Sequence, residues 1–328
     1  MTSSRPRARS AATRQGSALL ALAATPATAF AHAAHPGRRV GWSDWNFDPL
    51  IVIGLGLLGG MYALGIRRLR GRIEARESAE RSVVGKARVL AFSGGMLALV
   101  VALVSPLDQL SDQLAWVHMV QHMLLMTVAA PLIVSAAPLF VCLWGLARRG
   151  RIAFSRVRRK FDLWGFPWYA LWQPLLVWIV YAVTMWVWHL PALYEAALRD
   201  PLIHDFQHLA FFATACLYWR VLLDPLSRFR LDRGLAVLYL FTTTLHAMLL
   251  GVFMTLARTP WYADYDGRTQ LWGLTPLEDQ QLAGAIMWMP ACFSYVIVAA
   301  ILFAEWLRTT DESASLDPRP MHPTGTVR

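Results

Sequence analysis

The chain returns seven times to an apolar stretch of about 20 residues, the length that crosses the hydrocarbon core of a bilayer as a helix. These stretches are Asp48–Ile66, Ala87–Val104, Leu114–Gly145, Trp168–His189, His204–Leu223, Gly234–Leu256 and Leu282–Ala304. Lipid offers no partner to a bare backbone amide, so a spanning segment closes its hydrogen bonds on itself. The expected fold is therefore all-α: a polytopic membrane bundle of about seven transmembrane helices. The third stretch is long and contains Pro131 and Pro138, which predicts a kink or a broken helix. Composition supports lipid as the main solvent. Of 328 residues, 56% are hydrophobic and 16% are charged, where a soluble domain carries roughly 25% charged residues.

Residues 1–31 read as a signal-peptide-like segment. Arg5, Arg7, Arg9 and Arg14 precede the short apolar run Ser17–Ala24, and small residues follow at Ala27-Thr28-Ala29 and Ala29-Phe30-Ala31. An uncleaved anchor is the alternative and leaves the downstream topology unchanged. Residues 32–47 are expected outside, 48–306 form the membrane domain, and 307–328, rich in Pro, Ser, Thr and Asp, read as a disordered cytoplasmic tail.

The net charge of +10 has an explanation in orientation. Counted along the six loops, lysine plus arginine runs eight (67–88), none (105–113), seven (148–160), one (190–203), three (224–233) and two (257–281). Basic residues stay on the cytoplasmic side. The alternation places the N-terminus outside and the C-terminus in the cytoplasm, in the plasma (inner) membrane, and leaves no excess charge that calls for nucleic acid.

On this topology the histidines gather. His118 and His122 lie in the first turns of the third span, His189 closes the fourth, and His204 and His208 open the fifth, all at the outer ends. His246 lies mid-way along the sixth, slightly towards the outside. Two pairs are spaced i, i+4, which puts both imidazoles on one helix face. Such pairs supply two ligands to one metal, and two pairs on neighbouring helices can face each other. Ionisable side chains inside spans are expensive and usually functional. Imidazole suits copper, zinc and iron, and thioethers select copper(I); Met119, Met123 and Met185 lie beside these histidines as soft ligands. Cys142, Cys216 and Cys292 form no CxxC and read as small buried residues. Pro276, Glu278 and Asp279 read as a helix start with acids complementing its dipole. Alternatively, Asp279 folds over the histidine layer as an outer ligand, as a partner behind the ligands or as part of a docking surface.

At four places the sequence resembles the multi-span CtaG family of cytochrome c oxidase assembly factors. These are His118-Met119-Val120-Gln121-His122 running to Met126 and Ala130-Pro131-Leu132; Trp186-Val187-Trp188-His189 running to Tyr194; His204-Asp205-Phe206-Gln207-His208; and Glu278-Asp279-Gln280-Gln281 through Gly284 to Met287-Trp288. Together they cover most of residues 90–305 in the family's order. The resemblance implies an accessory factor, not an enzyme, that serves the catalytic subunit of cytochrome c oxidase at copper insertion, with other copper chaperones as further partners. A single-span copper chaperone of the same name carries a cysteine pair that this chain lacks.

Three other readings of the histidine layer stand beside the copper one. A haem-b electron-transfer protein uses histidines on facing helices as axial ligands. A transporter needs polar groups at several depths, and the cytoplasmic halves of these spans have few. A structural scaffold for oxidase assembly would bind no metal at all.

Overall fold

In the computed structural model, the described residues are 38–73, 85–163, 173–224, 226 and 231–315. The signal-like segment, His32, His35, His322, Trp168 and residues 316–328 lie outside them. All regular structure among the described residues is helical. The helices are α1 (Pro49–Ile73), α2 (Lys86–Leu103), α3 (Pro106–Ser111), α4 (Ala115–Met123), α5 (Ala130–Ser135), α6 (Pro138–Gly145), α7 (Arg148–Leu163), α8 (Pro174–Trp188), α9 (Pro191–Arg199), α10 (Pro201–Leu223), α11 (Arg233–Thr255) and α12 (Pro276–Ser315).

Proline sets many of the boundaries. α1, α3, α6, α8, α9, α10 and α12 each begin on one, where the fixed φ suits a helix and the missing N–H is not needed. Aspartate and serine caps complete several starts. Asp200 accepts from the Leu202 and Ile203 amides at 2.8 and 3.3 Å, Asp232 from Leu235 at 3.1 Å, and Ser105 from Leu107 at 3.2 Å.

Five helical stretches are long and apolar enough to cross a membrane: Pro49–Gly71, Lys86–Leu103, Ala115–Ser135, Pro201–Leu223 and Arg233–Thr255. α8 and α9, bent by 72° at His189-Leu190, make a sixth if taken as one broken span. The seventh expected stretch falls within α12, whose shorter apolar part is Tyr295–Ala304.

The third span breaks where its prolines require. α4 passes into a π-helical turn, Leu124–Ala129, before α5 brings in Pro131. A π turn is a rare local widening, often found at functional sites. Ala137 then takes a left-handed conformation (φ 51°), and Pro138 starts α6 in a new direction. In two places the structure adds detail. The basic segment 148–160 is helical as part of α7, and α12 continues to Ser315, past the expected start of a disordered tail. The run from Arg308 to Ser315 carries no proline or glycine, so nothing local stops the helix.

Ala115–Ser135 is the central span: 61% of its apolar window is buried, against 17% for Pro49–Gly71. α10 packs against α5 and α8, α2 against α5, and α12 against α4 and along α11. Glycines set the closest approaches. A β-carbon on Gly65 would strike the Val141 carbonyl, and one on Gly145 the Met61 carbonyl, which locks α6 onto α1. Between α11 and α12, a β-carbon on Gly284 would lie 2.6 Å from both the Gly251 carbonyl and Thr255 Oγ1. Gly284 thus lets the two helices pack closely.

Gly284→Ala should therefore lower thermal stability by about 1–3 kcal/mol, the usual cost of overpacking. Gly60→Ala, in an exposed part of α1 with nothing within 4 Å of the new β-carbon, should be neutral or stabilising because alanine favours helix. Thermal unfolding of both variants in detergent checks the contrast; equal losses would refute the close approach of α11 and α12.

Candidate metal site

The first turns of α4 and α10 carry the two HxxxH pairs, and the fold brings those turns together. Ring centroids lie 4.3 Å apart for His118–His122 and 4.2 Å for His204–His208. Across the helices they lie 5.3 Å apart for His118–His204, 5.9 Å for His118–His208 and 5.4 Å for His122–His208. His189, at the bend between α8 and α9, joins from the side, 6.4 Å from His122. One ring nitrogen from each of His118, His204 and His208 lies within 4.8 Å of the others, a separation that one ion can bridge.

The five rings are closed off from solvent. His118 is 0% exposed, His122 1%, and His189, His204 and His208 4% each. Burial of polar nitrogens is normally answered by hydrogen bonds. Here both nitrogens of His118 and of His122 are buried and make none of ordinary geometry. His189 is different: its Nδ1 meets the Met185 carbonyl at 2.6 Å. A carbonyl only accepts, so Nδ1 carries the proton and the buried Nε2 keeps a free lone pair. This is the arrangement of a metal-ready imidazole, with the proton held by one partner and the other nitrogen left open.

The remaining expected residues divide. Met119 is fully buried and Met123 half-buried in the apolar core around the cluster. The backbone carbonyl of Met185 orients His189, while its side chain is buried in the core. His246 is not brought to the cluster through its ring contacts. Its ring meets Trp178 at 5.3 Å and Tyr181 at 6.5 Å, beside a second aromatic group in which Tyr181 and Tyr295 share a 2.7 Å hydroxyl contact. Cys142 and Cys216 are free thiols.

Asp279 takes the structural alternative, and does so for a neighbouring helix. Its Oδ2 accepts from the Ala115 amide at 2.6 Å and its Oδ1 from Trp116 at 3.3 Å. A carboxylate from α12 thus caps the N-terminus of α4, the helix that presents His118 and His122. Burial lifts the Asp279 carboxyl to about 6, against the pull of the two amides. Glu278 caps its own helix through a reciprocal box with Thr275: Oε2 accepts the Thr275 amide at 2.9 Å, and Thr275 Oγ1 accepts the Glu278 amide at 3.3 Å.

Three parts of the site were not anticipated. A buried polar strut lies behind α4: Gln121 Nε2 donates to Asp108 Oδ1 at 2.6 Å and to the Ala102 carbonyl at 2.8 Å, and Asn46 Nδ2 donates to Asp108 Oδ2 at 2.7 Å. A tyrosine cover lies over the histidines. Tyr194 stacks on Tyr262 at 3.9 Å and stands 5.1 Å from His118, and its hydroxyl meets Tyr265 at 3.1 Å. Tyr262 donates to the His189 carbonyl at 3.0 Å and Tyr265 to that of Ser111 at 3.1 Å. The segment bearing Tyr262 and Tyr265 is tied down by Arg199, which grips Asp264 at 2.6 and 2.7 Å, and by Arg268, which donates to the Asp112 carbonyl at 2.8 Å. The third part is Gln207, a fully buried amide between His204 and His208. The sequence signal for the glutamines is the repeated H-x-x-Q-H spelling, and Tyr194 closes the segment that begins at Trp186; Tyr262 and Tyr265 have none.

An all-helical chain with several membrane-length apolar helices and a buried cluster of histidines at one end of the bundle defines the class of protein. Residues 60–309 match the family described as cytochrome c oxidase caa3 assembly factor (Caa3_CtaG), and the chain belongs to that family. It is also 25% identical over 281 residues to an uncharacterized protein of Mycobacterium leprae (strain TN), across 84% of this chain and 41% of that protein. The chain thus spans about two fifths of the curated relative it matches. No solved structure matches the chain.

Removing the cap from α4 should disturb the histidines' platform. Asp279→Ala leaves the Ala115 and Trp116 amides unmet and should cost about 1–2 kcal/mol of stability. Asp279→Asn, which keeps one acceptor oxygen, should cost less. Thermal midpoints of the two variants in detergent test the order; a harmless alanine would contradict the capping role.

Proposed function

We propose that this protein is an assembly factor that holds copper as cargo in its histidine cluster and hands it to the catalytic subunit of cytochrome c oxidase. The observation that carries this reading is the convergence of nitrogens from His118, His204 and His208 to within 4.8 Å in a buried site. Imidazole is a good copper ligand, and a dry site keeps water from competing for the ion. His122 and His189 border the same group, so an ion there has alternative ligands in reach, as ligand-exchange transfer requires. Family membership supplies the oxidase as the client. Other copper chaperones are the natural source of the ion. Binding and hand-over need no bond-making chemistry, which fits a non-enzymatic role.

Three convergent donors favour an ion over haem, which takes two opposed axial ligands with a wide slot between them. The π turn after α4 gives the ligand-bearing helix a place to adjust as ligands exchange.

The proposed setting is a seven-span bundle in the inner membrane, with the N-terminus outside, the histidine cluster at the outer face and α7 with its arginines in the cytoplasm. The alternating loop charge supports this orientation. α12 supplies the seventh crossing, and α8 with α9 forms one crossing that turns at His189.

Two measurements test the proposal. In cells, His118→Ala/His122→Ala should lower the copper content and activity of the oxidase, with partial recovery in excess copper. Oxidase of normal copper content and activity in that strain would reject the reading. A reporter fused at Arg151 should be cytoplasmic and one at Gly267 external; the reverse would put the cluster on the wrong side of the membrane.

A further inference from the structure

The histidine cluster is incomplete by one kind of partner. An imidazole that gives a lone pair to a metal carries its proton on the other nitrogen, and that N–H almost always donates to a carbonyl, carboxylate or water, which fixes the tautomer and the ring's orientation. The Met185 carbonyl does this for His189. For His118 no group does so with ordinary geometry: both its nitrogens are buried, and the polar groups set against the ring are the Gln207 side chain and the Ser111 backbone.

Gln207 has the matching deficiency. It is 0% exposed, and neither its Oε1 nor its Nε2 makes a hydrogen bond of ordinary geometry. It sits on α10 within the same turns as His204 and His208, and its amide stands against His118 across the helix pair. A glutamine with both ends unmet in an apolar interior is costly, and a leucine of similar volume would fill the space without that cost. Its presence calls for a state in which the amide is used.

The other H-x-x-Q-H segment offers a comparison. Gln121 occupies the same position between its histidines, and Asp108 and the Ala102 carbonyl hold its Nε2 while its Oε1 has no partner. One glutamine is clamped by a strut; the other has no such clamp and faces His118.

Resting on the reading of the cluster as a metal site, we propose that Gln207 is its positioning residue: its Oε1 accepts the N–H of His118 when an ion is bound, and so presents the other His118 nitrogen to that ion. Gln207 is not a ligand. It selects the tautomer and aim of a ligand on the facing helix, and thereby links metal binding to the packing of α4 against α10.

The test compares copper(I) affinity and stability in the full-length, detergent-purified protein, with a chromophoric copper(I) chelator as competitor. Gln207→Leu should bind copper(I) about 10–100-fold more weakly, the usual effect of losing a partner behind a ligating histidine. The metal-free form of the same variant should melt no lower than wild type, because an unmet amide has been replaced by an apolar side chain. Gln207→Glu, which keeps an acceptor oxygen, should bind within a few-fold of wild type. A leucine variant with wild-type affinity, or one whose weaker binding is matched by a lower metal-free melting temperature, overturns the role of Gln207. Wild-type protein that binds no copper overturns the metal reading itself and this role with it, and that failure is recognised because it appears before any variant is compared.

Discussion

Polar atoms removed from water inside a helix bundle need partners, because neither lipid nor an apolar core supplies them. Most of this structure obeys that constraint closely. The start of α4 is met by Asp279, Asp108 is met by Asn46 and Gln121, and the tyrosine hydroxyls of the cover find carbonyls or each other. Against that background both nitrogens of His118 and of His122 are exceptions, two adjacent rings that lack a hydrogen bond of ordinary geometry. The contacts that position the cluster are thus met, while these ring nitrogens are left open in the chemical sense.

That contrast explains how the surrounding elements contribute. Asp279 ties α12 to the head of α4, and the Gly251–Gly284 approach ties α12 to α11. Through these two contacts a helix that contributes no histidine fixes the position of one that contributes two. The bend between α8 and α9 brings His189 to the group, and the same bend brings Tyr194 over it. Arg199, at the end of α9, then anchors the loop that carries Tyr262 and Tyr265 through Asp264. That ion pair is exposed and contributes little to overall stability.

Much of this was legible in the sequence, and the limits have physical reasons. Apolar runs located the helices because hydropathy reports the solvent directly. Pro131 and Pro138 announced the break in the third span because proline acts locally. The two HxxxH pairs could be assigned to one end of the bundle because their distance from a span end gives depth. His246, placed mid-way along its span rather than at the end, meets Trp178 and Tyr181 instead. Asp279 was read both as a helix-start acid and as a neighbour of the histidines. It serves as a cap, but for α4, a pairing across 164 residues that no local pattern encodes. Tyr262, Tyr265 and Asp108 belong to connecting segments whose roles exist only after the helices pack.

The most direct test of the central claim is the X-ray absorption spectrum of detergent-purified protein loaded with copper(I), supported by elemental analysis of the same sample. The histidine cluster predicts stoichiometric copper whose scattering carries the outer-shell pattern of several imidazoles. Protein that retains no copper, or copper surrounded by sulfur alone, would contradict it.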